Sequence, residues 1–268
     1  MLFQSSDTST MKRPRKTTEP ESAEDQKYGI DQHQLQHHHQ QEATDTVFIG
    51  ALDICQQLLD RYGKSAAPQH RHLCATAAAT RSIIQSESLP LTPFSYFAAA
   101  IATVADDASR TLDSDALSAL ASFLAIVLPL VPSGAIAPAK AADAVSVLVG
   151  LMEQRGESVS TASSRAVVKC LGVLLGFCDL EDWDSVKLGF ETLLKFSIDK
   201  RPKVRKCAQD CVVHVFKSLK LPTVIKEASK LILSLLKGYM PLALEISALE
   251  AQGETGDEIM PKPMHLEL

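Results

Sequence analysis

The chain has 268 residues, of which 46% are hydrophobic, 22% charged and only 5% aromatic, so most of it can bury a core in one elongated or two compact domains. Ala and Leu abound, which favours packed helices over sheets. The formal net charge of −5 hides an asymmetry: residues 181–240 carry twelve Lys/Arg against seven Asp/Glu, and residues 241–268 carry one against six. A basic segment beside an acidic tail suits a polyanionic partner, although a solvated helix face is the commoner reason for such a run.

Residues 1–45 read as a disordered tail. They are polar, include the tract QHQLQHHHQQ at 32–41, and lack the apolar surface needed to offset chain entropy. The opening MLFQSSDTST lacks the basic-then-apolar order of a signal peptide. Lys12, Arg13, Arg15 and Lys16 surround Pro14, and this cluster reads equally as a nuclear import signal or as a chance basic patch in a tail. His33, His37, His38 and His39 read as low complexity rather than a metal site.

From Thr46, apolar residues recur at three- and four-residue spacing, the period of amphipathic helices. The first helix is expected over 46–63, with Val47, Leu52, Cys55, Leu58 and Leu59 on one side and Gly63 closing it. Further helices are expected from Pro68 to about Ser88 and from Pro93 to about Ala105. Asp115 precedes a very apolar helix that ends before Pro132-Ser133-Gly134. The run 116–131 contains Pro129 and falls short of the ~20 residues that span a bilayer, so a buried helix explains it better. Helices follow over about 138–155, 161–177, 182–196 and 202–219, and two more begin near Pro222 and Pro241. About ten helices joined by short turns, with no sustained strand alternation, make a row of antiparallel hairpins. The expected fold is all-α: a right-handed alpha solenoid of ARM/HEAT-like hairpins over 46–250. It is flanked by the N-terminal tail and an acidic tail at 251–268 that is also expected to be disordered. With no polar capping helix in view, the chain reads as the front part of a longer protein.

The sharpest motif is Asp199-x-x-Pro202-x-Val204-Arg205-x-x-Ala208, which matches the turn and second helix of a HEAT repeat. Asp199 can accept backbone hydrogen bonds in the turn, and Pro202 suits the first helical turn, where its missing N–H costs nothing. Val204, Ala208, Cys211, Val212, Val215 and Leu219 form one apolar stripe. Asp199 and Arg205 are the expected members of a ladder between repeats, with a partner contact the alternative for Arg205. Lys200, Arg201, Lys203 and Lys206 are the candidate RNA- or partner-binding residues, against a reading in which they are only solvated. Weaker copies occur at Ser164-Arg165-Ala166-Val167, 40 residues earlier, and at Pro68-x-x-Arg71, a period that suits HEAT or armadillo units.

No catalytic set, metal site or cofactor is expected. Gly63-Lys64-Ser65 lacks the glycine that a phosphate-binding loop needs at position 58, where Leu stands, and no GxGxxG or GxSxG occurs. The six cysteines form no CxxC pair and imply a reducing compartment rather than a disulfide framework. Cys207 and Cys211 have a one-turn spacing that two metal ligands can use, but core packing is the favoured reading. His70 and His72 near Cys74 read as chance. Glu181, Asp182 and Asp184 around Trp183 read as the cap of a helix whose apolar set is Trp183, Val186, Phe190, Leu193 and Leu194.

The run 182–219, above all LLKFSIDKRPKVRKCAQDC, resembles the ribosomal RNA-processing protein 12 family, particularly its plant members, and a looser resemblance extends back to Thr46. It implies a long ARM/HEAT solenoid of the nucleus and nucleolus, similar in architecture to importin-type receptors. The implied partners are pre-ribosomal particles, both rRNA and assembly factors, and nuclear transport factors; no membrane is implied. The implied role is non-enzymatic scaffolding in pre-rRNA processing and in subunit maturation or export. A protein-only adaptor of nuclear-transport type, binding peptides or helices, is the alternative. This chain is far shorter than the family's usual length, and its tail has no counterpart there.

Overall fold

The structure, a computed structural model, describes residues 48–106 and 113–251, with backbone alone at 157 and 240–251. The basic cluster at Lys12–Lys16, the N-terminal tail and the acidic tail from 252 lie outside the described residues. Among the described residues the regular elements are helices, and no strand occurs. They are α1 (Ile54–Tyr62), α2 (Pro68–Ser86), α3 (Pro93–Ala105), α4 (Ser114–Val127), α5 (Pro138–Arg155), α6 (Thr161–Leu175), α7 (Trp183–Phe196), α8 (Pro202–Ser218) and α9 (Pro222–Ala251). Short 3-10 turns follow α4 at Leu128–Leu130 and α5 at Gly156–Ser158.

The starts of these helices follow from the sequence. α2, α3, α5, α8 and α9 each open on a proline, whose fixed φ suits the first helical position. At several starts a side chain also takes up a free N–H. Thr92 Oγ1 accepts from Ser95 N at 3.2 Å, Asp113 Oδ1 from Ala116 N at 2.7 Å, and Ser160 Oγ from Ser163 N at 3.1 Å.

Two boundaries differ from the periodicity. Among the described residues the first helix begins at Ile54 and leaves 48–53 outside it, because Asp53 Oδ1 caps the Cys55 N–H at 3.2 Å; residues 46 and 47 of the expected helix lie outside the described residues. The preceding turn is held by the Gln57 side chain, which bonds both the N–H and the carbonyl of Ile49 at 2.9 Å. Leu52, expected on the buried side, is 54% exposed. The second difference is that Pro241 starts no helix but lies inside α9. Its missing N–H leaves the Lys237 carbonyl without the usual intrahelical donor.

The helices form two rows. α2 packs on α4, α4 on α6 and α6 on α8; in the other row α3 packs on α5, α5 on α7 and α7 on α9. Most consecutive helices also pack across the rows. A chain in which each helix meets its next neighbour and its next-but-one neighbour is an alpha solenoid, and its core is a strip between the rows. Tyr96, Phe123, Leu148, Leu171, Leu174 and Phe190 lie in that strip, fully buried. Tyr96 meets Phe123 edge-on, with ring centroids 5.9 Å apart. Its hydroxyl donates to Asp53 Oδ1, and Arg81 Nη1 lies 3.2 Å from Asp53 Oδ2. A single carboxylate thus ties α1, α2 and α3 together.

Candidate functional site

The turn between α7 and α8 carries the HEAT-like motif, and its geometry is closed on itself. The Asp199 carboxylate accepts the Arg201 backbone N–H at 2.8 Å. It also receives the guanidinium fork of Arg201, with Nε on Oδ1 at 2.9 Å and Nη2 on Oδ2 at 2.7 Å. A two-pronged contact of this kind fixes orientation as well as charge. The remaining Arg201 nitrogen, Nη1, donates to the carbonyl of Val159 at 3.0 Å, reaching the segment just before α6. Arg205 Nη1 donates to the Asp199 carbonyl at 2.9 Å, and Gln209 Nε2 to the Ser197 carbonyl at 3.0 Å. Burial works to raise the Asp199 carboxyl, but the Arg201 side chain and backbone N–H outweigh it and hold it below its ordinary value.

The six residues singled out in this turn therefore divide. Asp199 and Arg201 form its internal ion pair, with side chains 13% and 26% exposed. The link to the preceding hairpin runs from Arg201 through Val159, while the Arg205 bond to the Asp199 carbonyl stays within its own turn. Lys200, Lys203 and Lys206 are exposed. The exposed Lys169 lies on α6, which packs against α8, and the periodic reading did not single it out. Sequence spacing aligned Arg165 with Arg205, at 40 residues. The bonds between the two hairpins instead join residues 42 or 43 apart, such as Arg201 with Val159 and Cys211 with Val168. That offset is a property of packing and has no signature in the repeat.

Most of the other marked residues have partners close in sequence. Asp182 Oδ1 caps α7 through the Asp184 N–H at 3.2 Å, and Trp183 packs edge-on against Phe190 at 6.2 Å. Ser65 Oγ lies 2.8 Å from His70 Nδ1, and the His70 ring stacks on Tyr62 at 4.3 Å. His72 stands 4.0 Å from Asp115, a carboxylate distant in sequence. Cys207 and Cys211 are half-buried, whereas the other four cysteines are buried. A cavity of about 310 Å³ is lined in part by Cys178, Asp179, Glu181 and Lys220. Burial pushes the Cys178 thiol up to about 11, so it is held protonated and is a poor nucleophile. Among the described residues, no group of three His, Cys, Asp or Glu side chains is placed to hold a metal ion, and no helix is long and apolar enough to cross a membrane. What the turn offers chemically is a rigid mount for positive charge.

Comparison with known proteins gives the same architecture. Residues 40–265 match the family model for RRP12-like N-terminal HEAT repeats. A human RRP12-like protein is 32% identical over 182 residues, which is 66% of this chain and 14% of the human one. A chicken RRP12-like protein is 32% identical over 183 residues, again 66% of this chain and 14% of the relative. A Drosophila melanogaster RRP12-like protein is 25% identical over 170 residues, 63% of this chain and 12% of the relative. The chain thus spans about a seventh of the length of the vertebrate relatives. No solved structure is significantly similar. With the family model covering every described helix, the chain belongs to the RRP12-like family and corresponds to its N-terminal HEAT repeats.

Proposed function

We propose that this chain is a non-enzymatic helical-repeat scaffold of ribosome biogenesis, acting in the nucleus and nucleolus on pre-ribosomal particles. Its role there is pre-rRNA processing and the maturation or export of subunits. Membership of the RRP12-like family supports the pathway. The observation that carries the contact is the α7–α8 turn. Asp199, Arg201 and Arg205 hold the backbone, and Lys200, Lys203 and Lys206 are exposed around it. Lysines on a rigid mount lose little order on meeting a phosphate backbone, so their charge contributes more fully to binding.

The test is co-sedimentation with pre-ribosomal particles of the chain carrying Lys200→Glu, Lys203→Glu and Lys206→Glu together. Loss of co-sedimentation with an unchanged circular dichroism spectrum is expected; retention would reject this surface. An adaptor of nuclear-transport type, with proteins as its partners, draws on a different observation. Val213, Leu233 and Leu236 are 50%, 54% and 54% exposed on α8 and α9, as a helix-binding face requires. Capture that survives nuclease and is lost in Val213→Asp, but not in the lysine variant, would favour that reading.

A further inference from the structure

Cys207 and Cys211 sit one turn apart on α8, and both face α6. Cys207 Sγ is 3.9 Å from the Arg165 carbonyl oxygen, and Cys211 Sγ is 3.8 Å from that of Val168. Gly172 on α6 makes the room for Cys211: a Cβ there would fall 2.6 Å from its Sγ. The pair is the half-buried exception among six cysteines. Arg165 and Lys169 bring positive charge from α6, and Asp210 opposes it from α8. A partly exposed thiol in an electropositive setting beside a second thiol has the surroundings of a reactive cysteine.

We propose that Cys207 and Cys211 form a peroxide-reactive dithiol site, in which Cys207 attacks and Cys211 resolves. The Cys207 thiolate attacks one oxygen of hydrogen peroxide. The O–O bond breaks, hydroxide leaves, and the sulfur becomes a sulfenic acid. Cys211 sulfur then attacks the oxidised sulfur. An S–S bond forms, the S–O bond breaks, and the departing hydroxide takes the Cys211 proton as water. Two thiols are oxidised to one disulfide and the peroxide is reduced to two waters; a thiol reductant reverses the change.

The electrostatics select which sulfur attacks. The neighbouring Cys211 thiol is the largest influence on Cys207 and lowers its thiol, against the opposing effect of burial and with help from Lys169 and Arg165. The same neighbour and burial push Cys211 up, and its sulfur is seated against Gly172, so it keeps its proton until the second step. A lowered thiol holds more thiolate near neutral pH, and that gain outweighs its loss of intrinsic nucleophilicity. Closure has a structural consequence. Cβ atoms one turn apart in a helix are about 5–6 Å apart, whereas a disulfide holds them at about 3.5–4.5 Å. The turn of α8 between Cys207 and Cys211 must tighten or unwind to form it. In a reducing compartment such a bond is transient, as befits a sensor rather than a staple.

The two cysteines fall in one tryptic peptide, 207–217. The reduced full chain is treated with hydrogen peroxide at pH 7, alkylated under denaturing conditions and mapped by mass spectrometry. The expected result is a 207–217 peptide lighter by two hydrogens and unalkylated, while Cys170 and Cys178 are alkylated. In C211S, Cys207 is expected to accumulate as a sulfenic acid captured by dimedone. In C207S, Cys211 is expected to stay reduced. The proposal is overturned if both thiols remain alkylatable at doses that oxidise free cysteine in the same tube. It is equally overturned if the wild type accumulates the dimedone adduct as C211S does, or if the disulfide links two chains.

Discussion

Replacing Asp199 with alanine tests the turn that mounts the basic residues. The change removes a carboxylate that accepts one backbone N–H and two guanidinium N–H groups at 2.7–2.9 Å, in a side chain only 13% exposed. A lost turn cap costs about 1 kcal/mol, and hydrogen bonds to a charged group contribute about 1.5–3 kcal/mol. These terms overlap, and Arg201 keeps its bond to the Val159 carbonyl, so a net loss of about 2–4 kcal/mol is expected. Asp199→Asn retains an acceptor for the backbone N–H but not the charge, and should lose roughly half as much. Urea denaturation followed by circular dichroism gives both values. Acid supplies a second reading. The folded-state carboxyl lies below its ordinary value, so its contribution is complete above an unfolded pKa near 4 and disappears as pH falls through the folded value. The gap between wild type and Asp199→Ala should therefore be constant from about pH 5 to 7 and narrow toward pH 3. A gap below about 0.5 kcal/mol, or one that does not change with acid, would refute the argument that this ion pair holds the turn.

Three further outcomes follow from packing. Gly172→Ala places a Cβ 2.6 Å from Cys211 Sγ and 3.0 Å from its Cβ, so it should destabilise by about 1–3 kcal/mol, and Cys211→Ala in the same chain, which removes the Sγ but keeps the Cβ, should restore part of the loss. Gly150→Ala, also within a helix but with nothing near its added Cβ, should instead stabilise by about 0.5–1 kcal/mol, read as a shift in the urea midpoint. Phe190→Ala empties a fully buried site that Trp183 meets edge-on and should lose about 3–5 kcal/mol, with the same denaturation assay as its check.

The hairpin architecture was legible because its signals are local. Five helices begin on proline, and the apolar stripes of α7 and α8 recur at helical spacing, with Val186, Phe190 and Leu193 buried as their positions require. Local signals misled where a side chain reached backward or the backbone ignored a breaker. Leu52 fits the helical period, but the Asp53 cap and the Gln57 clasp on Ile49 make residues 49–52 a turn. The site was legible only as a cluster of charge. Which arginine folds inward depends on the Val159 carbonyl, 42 residues away, and no spacing within the motif encodes it. The same holds for the cysteines. Their one-turn spacing places them on one helix face, but only the offset between α6 and α8 decides that this face is half-buried beside Lys169.

The most direct test of the scaffold account is the salt dependence of RNA binding by the purified chain. Fluorescence anisotropy with a labelled pre-rRNA fragment, between 50 and 200 mM salt, should give a log–log slope of about −2 to −3 for three lysine–phosphate contacts. The slope should collapse toward zero when Lys200, Lys203 and Lys206 are replaced by Glu. A salt-independent affinity, or the same slope in that variant, would contradict the claim that this turn meets RNA through its charge.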